Sequence, residues 1–240
     1  MPSFIANNGP CYRFLILHSP FTILRPFEKT LSVTVCTKED DITTDGQLRE
    51  RIGVEKSASL WQVHGNRTIV VREPTERTEK ADGLMTDQRD LLLAIRAADC
   101  QLILVYAPER NVVGLLHVGW RGLIAETIPA FFAKLHEEWN IHPQETLIGI
   151  GPSFCQCCAE YGEPDHPLRQ FPKRFWDRNQ VDLAGIADWQ LTECGVLLKN
   201  IERHPDCTCC HPEKYWTYRG GDKEKVLQGY TNVLAVQLIK

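Results

Sequence analysis

The chain has 240 residues, with 27 Lys and Arg against 31 Asp and Glu, giving a formal net charge of −4. Apolar residues at 43% and charged residues at 24% are globular proportions, which excludes disordered and collagen-like chains, and the length supports a buried core without disulfide staples. A slightly acidic chain lacks the basic surface that sequence-independent nucleic-acid binding needs.

From the N-terminus, Met1 to Pro10 carries no Lys or Arg, and Phe14 to Leu17 is too short for the apolar stretch of a signal peptide, so a cytoplasmic protein is expected. Apolar and β-branched runs predict strands at 13–18 and 31–37, then a helix at 45–52 closed by Gly53. Strands follow at 59–64, 68–72, 91–97, 102–107 and 112–118. Leu91 to Ile95 is continuously apolar, which suits a strand covered on both faces. The window 91–107 comes closest to a membrane span, but Arg96 and Asp99 interrupt it well short of the roughly 18 apolar residues required. A helix at 123–139 would carry Ile124, Ile128, Phe131, Phe132 and Leu135 on one face. After a strand at 146–150, a helix at 183–194 turns Ile186, Trp189 and Leu191 towards a core and ends at Gly195, and a strand at 232–239 completes the chain. No repeat or Gly/Ser linker divides it, so residues 1–240 are expected to form one domain. Many strands with few helices between them predict an α+β fold with mixed sheets and helices outside.

The chain carries 10 cysteines. Without a signal peptide their thiols are expected to be reduced. Cys155, Cys157 and Cys158 form one group, and Cys207, Cys209 and Cys210 a second. Cys157, Cys158, Cys207 and Cys210 would be one candidate set for a structural zinc. The Cys-x-x-Cys spacing of 207 and 210 allows it, but Cys157 and Cys158 are adjacent, too close for a standard knuckle.

Three strand-like runs stop at a metal-binding or polar residue: Gln62-Val63-His64, Ala98-Asp99-Cys100, and His117-Val118-Gly119-Trp120-Arg121-Gly122. Sites gather at such positions because a rigid sheet aims the side chains. Two His and one Cys suit a catalytic zinc with a fourth position left for water, whose pKa would fall to about 7. Taken singly, each residue also fits a plain role, the histidines as hydrogen-bonded core residues and the cysteine as a buried thiol. Arg121 at a helix start opposes the helix dipole unless an anion lies there; the alternative is a surface ion pair. Asp99 is a candidate for orienting a ligand or handling protons, or for a strand-end hydrogen bond to the backbone.

Taken together, these segments resemble the YfiH-like laccase-domain family, also known as multicopper polyphenol oxidase or purine nucleoside phosphorylase proteins. The likeness extends to Ala81-Asp82-Gly83-Leu84-Met85-Thr86, to Ile150-Gly151-Pro152-Ser153 with Cys157-Cys158, and to Cys207-Thr208-Cys209-Cys210 followed by Tyr215-Trp216-Thr217-Tyr218-Arg219. It implies a single-domain, layered α/β/β/α sandwich with zinc held by His64, Cys100 and His117, and packed thiols at the two cysteine groups. It further implies phosphorolysis of adenosine, inosine, guanosine and methylthioadenosine, with adenosine deamination. The partners would then be a small-molecule nucleoside and phosphate, with neither nucleic acid nor membrane. Asp99 and Arg121 would be the catalytic side chains, and Gln62, Arg25, Ser153 and Arg219 the substrate-binding ones. The laccase label implies copper, the alternative ion, although the sequence shows no His-x-His pair to hold several coppers.

Three places depart from the family pattern. Thr22-Ile23-Leu24-Arg25-Pro26-Phe27-Glu28 lacks a glycine pair, Gly220 follows Arg219 where an arginine is expected, and Gly229-Tyr230 replaces Gly-Arg. Each lost arginine removes a bidentate donor for phosphate or carboxylate. An altered rim around an intact trio also suits a zinc hydrolase of another small substrate, such as a cell-wall precursor amide, or a non-catalytic zinc-binding interaction module.

Overall fold

The computed structural model describes residues 19–239. The strand expected at 13–18 lies outside the described residues. Two sheets are stacked. The first is four-stranded, in the order β1 (Leu31–Cys36), β12 (Asn232–Leu238), β5 (Leu92–Ala97), β2 (Ser57–Ser59). The second is six-stranded, in the order β11 (Ile201–Arg203), β8 (Leu147–Ile150), β6 (Gln101–Ala107), β7 (Val112–Val118), β4 (Gly83–Thr86), β3 (Thr68–Val70). Both sheets mix parallel and antiparallel pairs. A two-stranded ribbon, β9 (Trp176–Asp177) with β10 (Gln180–Val181), stands apart.

The period-2 alternation of the strands sorts their side chains into layers. From β5, Leu93 and Ile95 face the space between the sheets, where they meet Leu102, Leu104 and Tyr106 of β6 and Val113 and Leu115 of β7. Leu92 and Ala94 face the other way, onto Leu48 of α1 (Asp45–Ile52). That double burial is why Leu91 to Ile95 reads as an unbroken apolar run. On the far side of the six-stranded sheet, Ile103, Val105, Leu116 and Ile148 pack on Ile128, Phe131 and Leu135 of α3 (Thr127–Trp139) and Ile186 and Leu191 of α4 (Leu183–Glu193). The result is the expected α/β/β/α sandwich.

Helix α1 starts on a capping box between Thr44 and Gln47 and stops at Gly53, whose φ of 80° is the left-handed conformation that glycine adopts freely. The continuous helix expected at 123–139 is instead two. α2 (Trp120–Ile124) begins earlier, and Glu126, at φ 57°, breaks the path before α3. The break lets the Thr127 hydroxyl reach the Gly65 carbonyl at 2.6 Å, a tertiary contact that outweighs helical continuity. The strand expected at 59–64 ends at Ser59, because the backbone beyond is drawn to Asp82 rather than to a neighbouring strand. The last α-helix, α5 (Lys223–Leu227), follows the 218–222 segment.

Between β5 and β6 the chain steps from the four-stranded sheet to the six-stranded one within Ala98, Asp99 and Cys100. So tight a corner puts Asp99 at φ 88°, a conformation uncommon for any residue with a side chain. Its carboxylate anchors the corner. Oδ1 accepts from the hydroxyls of Thr208 at 2.8 Å and Thr217 at 2.6 Å, and Oδ2 from the Arg219 N–H at 2.8 Å.

Candidate metal centre

Strand parity aims two donors into one place. Cys100 shares the inter-sheet face of Leu102 and Leu104, and His117 that of Val113 and Leu115. The antiparallel register sets Leu102 opposite His117 and, continued one step, brings Cys100 opposite Gly119. His64 arrives from the loop after β2 with φ 61°. The donor atoms of His64, Cys100 and His117 lie within 4.8 Å of one another. Cys100 Sγ is 3.9 Å from His64 Nε2, and the two imidazoles meet edge to face with centroids 4.7 Å apart.

Asp82, fully buried, organises the group. Oδ1 lies 2.9 Å from His117 Nδ1 and accepts from the His64 N–H, while Oδ2 accepts from the N–H groups of Gly65 at 2.7 Å and Val63 at 3.2 Å. One carboxylate therefore orients one imidazole and folds the loop that carries the other, leaving His117 Nε2 for a metal. Burial works to raise the Asp82 carboxyl, but its bonds to His117 and Gly65 hold it below the usual carboxylate range. Burial likewise opposes ionisation of Cys100, yet His117 and His64 bring its thiol down to about 6, so it is a thiolate near neutral pH, the form that ligates metals. Against the effect of burial, Asp82 and Cys100 lift His117 to about 9.

Gly119 sits against this trio. A β-carbon there would stand 2.8 Å from Cys100 Sγ and 3.1 Å from His64 Cδ2. Gly119→Ala should therefore displace both ligands and cut activity by on the order of 100-fold, the cost of a misplacement near 1 Å. Metal titration and kcat/KM would both register it, with little change in the melting temperature of the metal-free protein because the clash falls at the pocket rather than in the core.

The trio opens into a cavity of about 550 Å³. Its aromatic walls are Trp61, Trp120, Phe154, Tyr161 and Tyr218, with Trp61 54% and Tyr218 43% exposed at the mouth. Burial pushes the Tyr161 phenol up to about 12, which keeps it a neutral donor. Four arginines line the same cavity: Arg77, Arg96, Arg121 and Arg219. Arg96 is bound to Asp45 at 2.9 Å. Arg219 Nη1 donates to the Glu160 carbonyl, and its guanidinium lies over the Tyr161 ring. Arg121 stacks over Trp120 at 4.1 Å and has no carboxylate partner among the described residues. Arg77 Nε, Arg96 Nε and Thr231 Oγ1 are buried and without a hydrogen-bond partner among the described residues.

Of the residues expected at the site, His64, Cys100, His117, Asp99, Arg121, Gln62 and Arg219 line this cavity, whereas Arg25 and Ser153 do not. Gln62 spends its amide on the Arg96 backbone, donating to its carbonyl at 2.7 Å and accepting from its N–H at 3.0 Å. Arg25 lies in the 3₁₀ turn Thr22–Phe27, whose neighbour Leu24 plugs the inter-sheet core. Ser153 is paired to Cys207. Gly220 and Gly221 continue the irregular helical turn Tyr218–Asp222, where Gly221 takes φ 117°. Tyr230, in the place of an expected arginine, packs at a tilt against Trp216, with ring centroids 5.0 Å apart. Sequence reading did not single out Arg77, Trp61 or Tyr161 as pocket residues and noted Asp82 only within a matching segment, since nothing local marks them.

Residues 31–231 match the family described as multi-copper polyphenol oxidoreductase laccase. Among curated proteins, a purine nucleoside phosphorylase of Mus musculus is 28% identical over 70% of this chain and 39% of its own length. One of Rickettsia conorii is 28% identical over 87% of this chain and 82% of its own. This chain thus spans about two fifths of the mouse relative and most of the rickettsial one. The crystal structure of YlmD from Geobacillus stearothermophilus has a TM-score of 0.70 at 25% identity, covering 81% of this chain and 78% of that one. The YfiH protein of Bacillus licheniformis shares the fold, with the same score at 22% identity over 81% and 79% of the two chains.

Proposed function

The chain belongs to the multi-copper polyphenol oxidoreductase laccase family, and from that premise we propose that it is a zinc-dependent purine nucleoside phosphorylase with adenosine deaminase activity. One observation carries the reading: a metal-competent trio, an arginine wall and a ring of aromatic side chains share one cavity. The names of the mouse and rickettsial relatives support it. The donor set fits zinc, with two imidazoles, one thiolate and a carboxylate behind His117. Bound there, zinc would act as a Lewis acid and lower the pKa of water.

The chain's own residues supply the rest. Trp61 and Tyr218, exposed at the mouth, offer faces on which a purine base can stack. The guanidinium of Arg121, free of a carboxylate partner among the described residues, can bind phosphate through two parallel N–H donors. Arg77, which lines the same cavity, adds positive charge to that wall, whereas the charge of Arg96 is matched by Asp45. In phosphorolysis a phosphate oxygen bonds to C1′ of the ribose as the bond to the purine nitrogen breaks, and the base leaves with that electron pair and takes up a proton. Holding phosphate and nucleoside together makes the step effectively unimolecular. Asp99, with its carboxylate occupied by two hydroxyls and an N–H, positions the Cys100 corner.

Zinc-loaded protein given adenosine and phosphate should yield adenine and ribose 1-phosphate, and inosine from the companion deamination. Chromatography with mass detection reads both, and His117→Ala should give neither. Metal-loaded wild type that leaves every purine nucleoside untouched would overturn the proposal. Arg121→Ala should raise the KM for phosphate by about 10–100-fold, the worth of a hydrogen bond to a charged group, with the nucleoside KM nearly unchanged. A rise confined to the nucleoside KM would place phosphate elsewhere.

A further inference from the structure

Away from the trio, four more sulfur atoms converge. The Sγ atoms of Cys155, Cys158, Cys207 and Cys210 all lie within 4.8 Å of one another. Sequence reading considered the adjacent pair Cys157 and Cys158, but the fold pairs Cys155 with Cys158. The set is then two Cys-x-x-Cys segments, 155–158 and 207–210, each with the spacing of a zinc knuckle. Cys155 lies 3.8 Å from Cys158 and from Cys210, Cys158 lies 3.6 Å from Cys210, and Cys207 lies 3.9 Å from Cys158. Four thiolates about 2.3 Å from one tetrahedral ion would stand about 3.8 Å apart. Sulfurs so close together surround a single ion; a multi-iron cluster, whose thiolates bind different irons, would hold them further apart.

The backbone brings the two segments together independently of the thiols. Ser153 and Cys207 form a parallel bridge, the Thr208 N–H donates to the Ser153 carbonyl at 3.2 Å, and the Cys155 N–H donates to Cys207 Sγ at 3.2 Å. An N–H aimed at sulfur stabilises the thiolate form. Cys157, 2.8 Å from Cys155 Sγ, is a fifth thiol outside the mutually close set.

We propose that Cys155, Cys158, Cys207 and Cys210 bind a second zinc ion, structural and coordinatively closed, distinct from the one at the trio. The ion ties together the two loops that hold the Asp99 corner. Thr208, next to Cys207, donates to the Asp99 carboxylate, and Phe154, next to Cys155, donates its N–H to the Asp99 carbonyl at 3.1 Å and lines the cavity. The quartet therefore positions Cys100 from behind without touching substrate.

The test is zinc content by mass spectrometry on the full chain purified with zinc. Wild type should hold two equivalents, His64→Ala/His117→Ala one, and Cys158→Ser/Cys210→Ser one. X-ray absorption at the zinc edge of the His64→Ala/His117→Ala protein should report four sulfur neighbours at about 2.3 Å. Should the cysteine double variant fail to fold, the histidine variant alone decides. A histidine double variant free of zinc overturns the proposal, whether its four thiols react freely with a thiol reagent or its mass is lighter by the hydrogens lost to disulfides. Iron in the quartet would overturn it equally.

Discussion

Asp82→Asn is expected to weaken metal binding, and the turnover that depends on it, by about 10–100-fold, the usual cost of losing an outer-shell partner. The carboxylate accepts four hydrogen bonds, one from the His117 side and three from backbone N–H groups of Val63, His64 and Gly65. An asparagine has one acceptor oxygen and one NH₂ group. Whichever way the amide turns, its NH₂ faces either His117 and the His64 N–H or the donors of Val63 and Gly65. One side of the loop is left unsatisfied, at about 1–3 kcal/mol for each buried group. The variant should lose affinity with its three ligands intact, as isothermal titration with zinc would show. Wild-type affinity in the variant would mean that the trio is held by the sheets alone.

Asp45→Ala should destabilise the fold by about 3–5 kcal/mol, the cost of leaving a buried charge without its partner. Arg96 Nη2 lies 2.9 Å from Asp45 Oδ1, with both side chains almost fully buried, and the Ser59 hydroxyl donates to Asp45 Oδ2. At roughly 2–4 °C per kcal/mol for a chain of this size, the melting temperature should fall by about 10 °C. Arg96→Met in the same chain should recover much of the loss, because no charge then remains uncompensated. Strictly additive losses would show that the pair is not coupled.

These two aspartates mark where sequence reasoning stops. Cys100 and His117 could be found because each ends a strand-like run, and the apolar stretch from Leu91 to Ile95 announced a strand buried on both faces. Asp82 is 35 residues from His117 and Asp45 is 51 from Arg96, so neither partnership leaves a local pattern. Arg96 read only as an interruption of an apolar window, when it reaches through the four-stranded sheet's outer face to α1. The break at Glu126 was equally invisible, since the apolar periodicity continues across it and the cause is a contact to Gly65. Cys155 and Cys158 did carry a legible spacing, hidden by the adjacent Cys157.

The trio's donors come from segments of both sheets: His64 follows a strand of the first, Cys100 sits in the step between them, and His117 ends a strand of the second. An ion held by all three is a clasp across one end of the sandwich. By mass action it would favour the closed sandwich over any form in which the sheets part, by an amount that grows with the free metal concentration. The persistence of the chain against proteolysis would then follow the supply of metal around it, and scarcity would remove the protein as well as silence it.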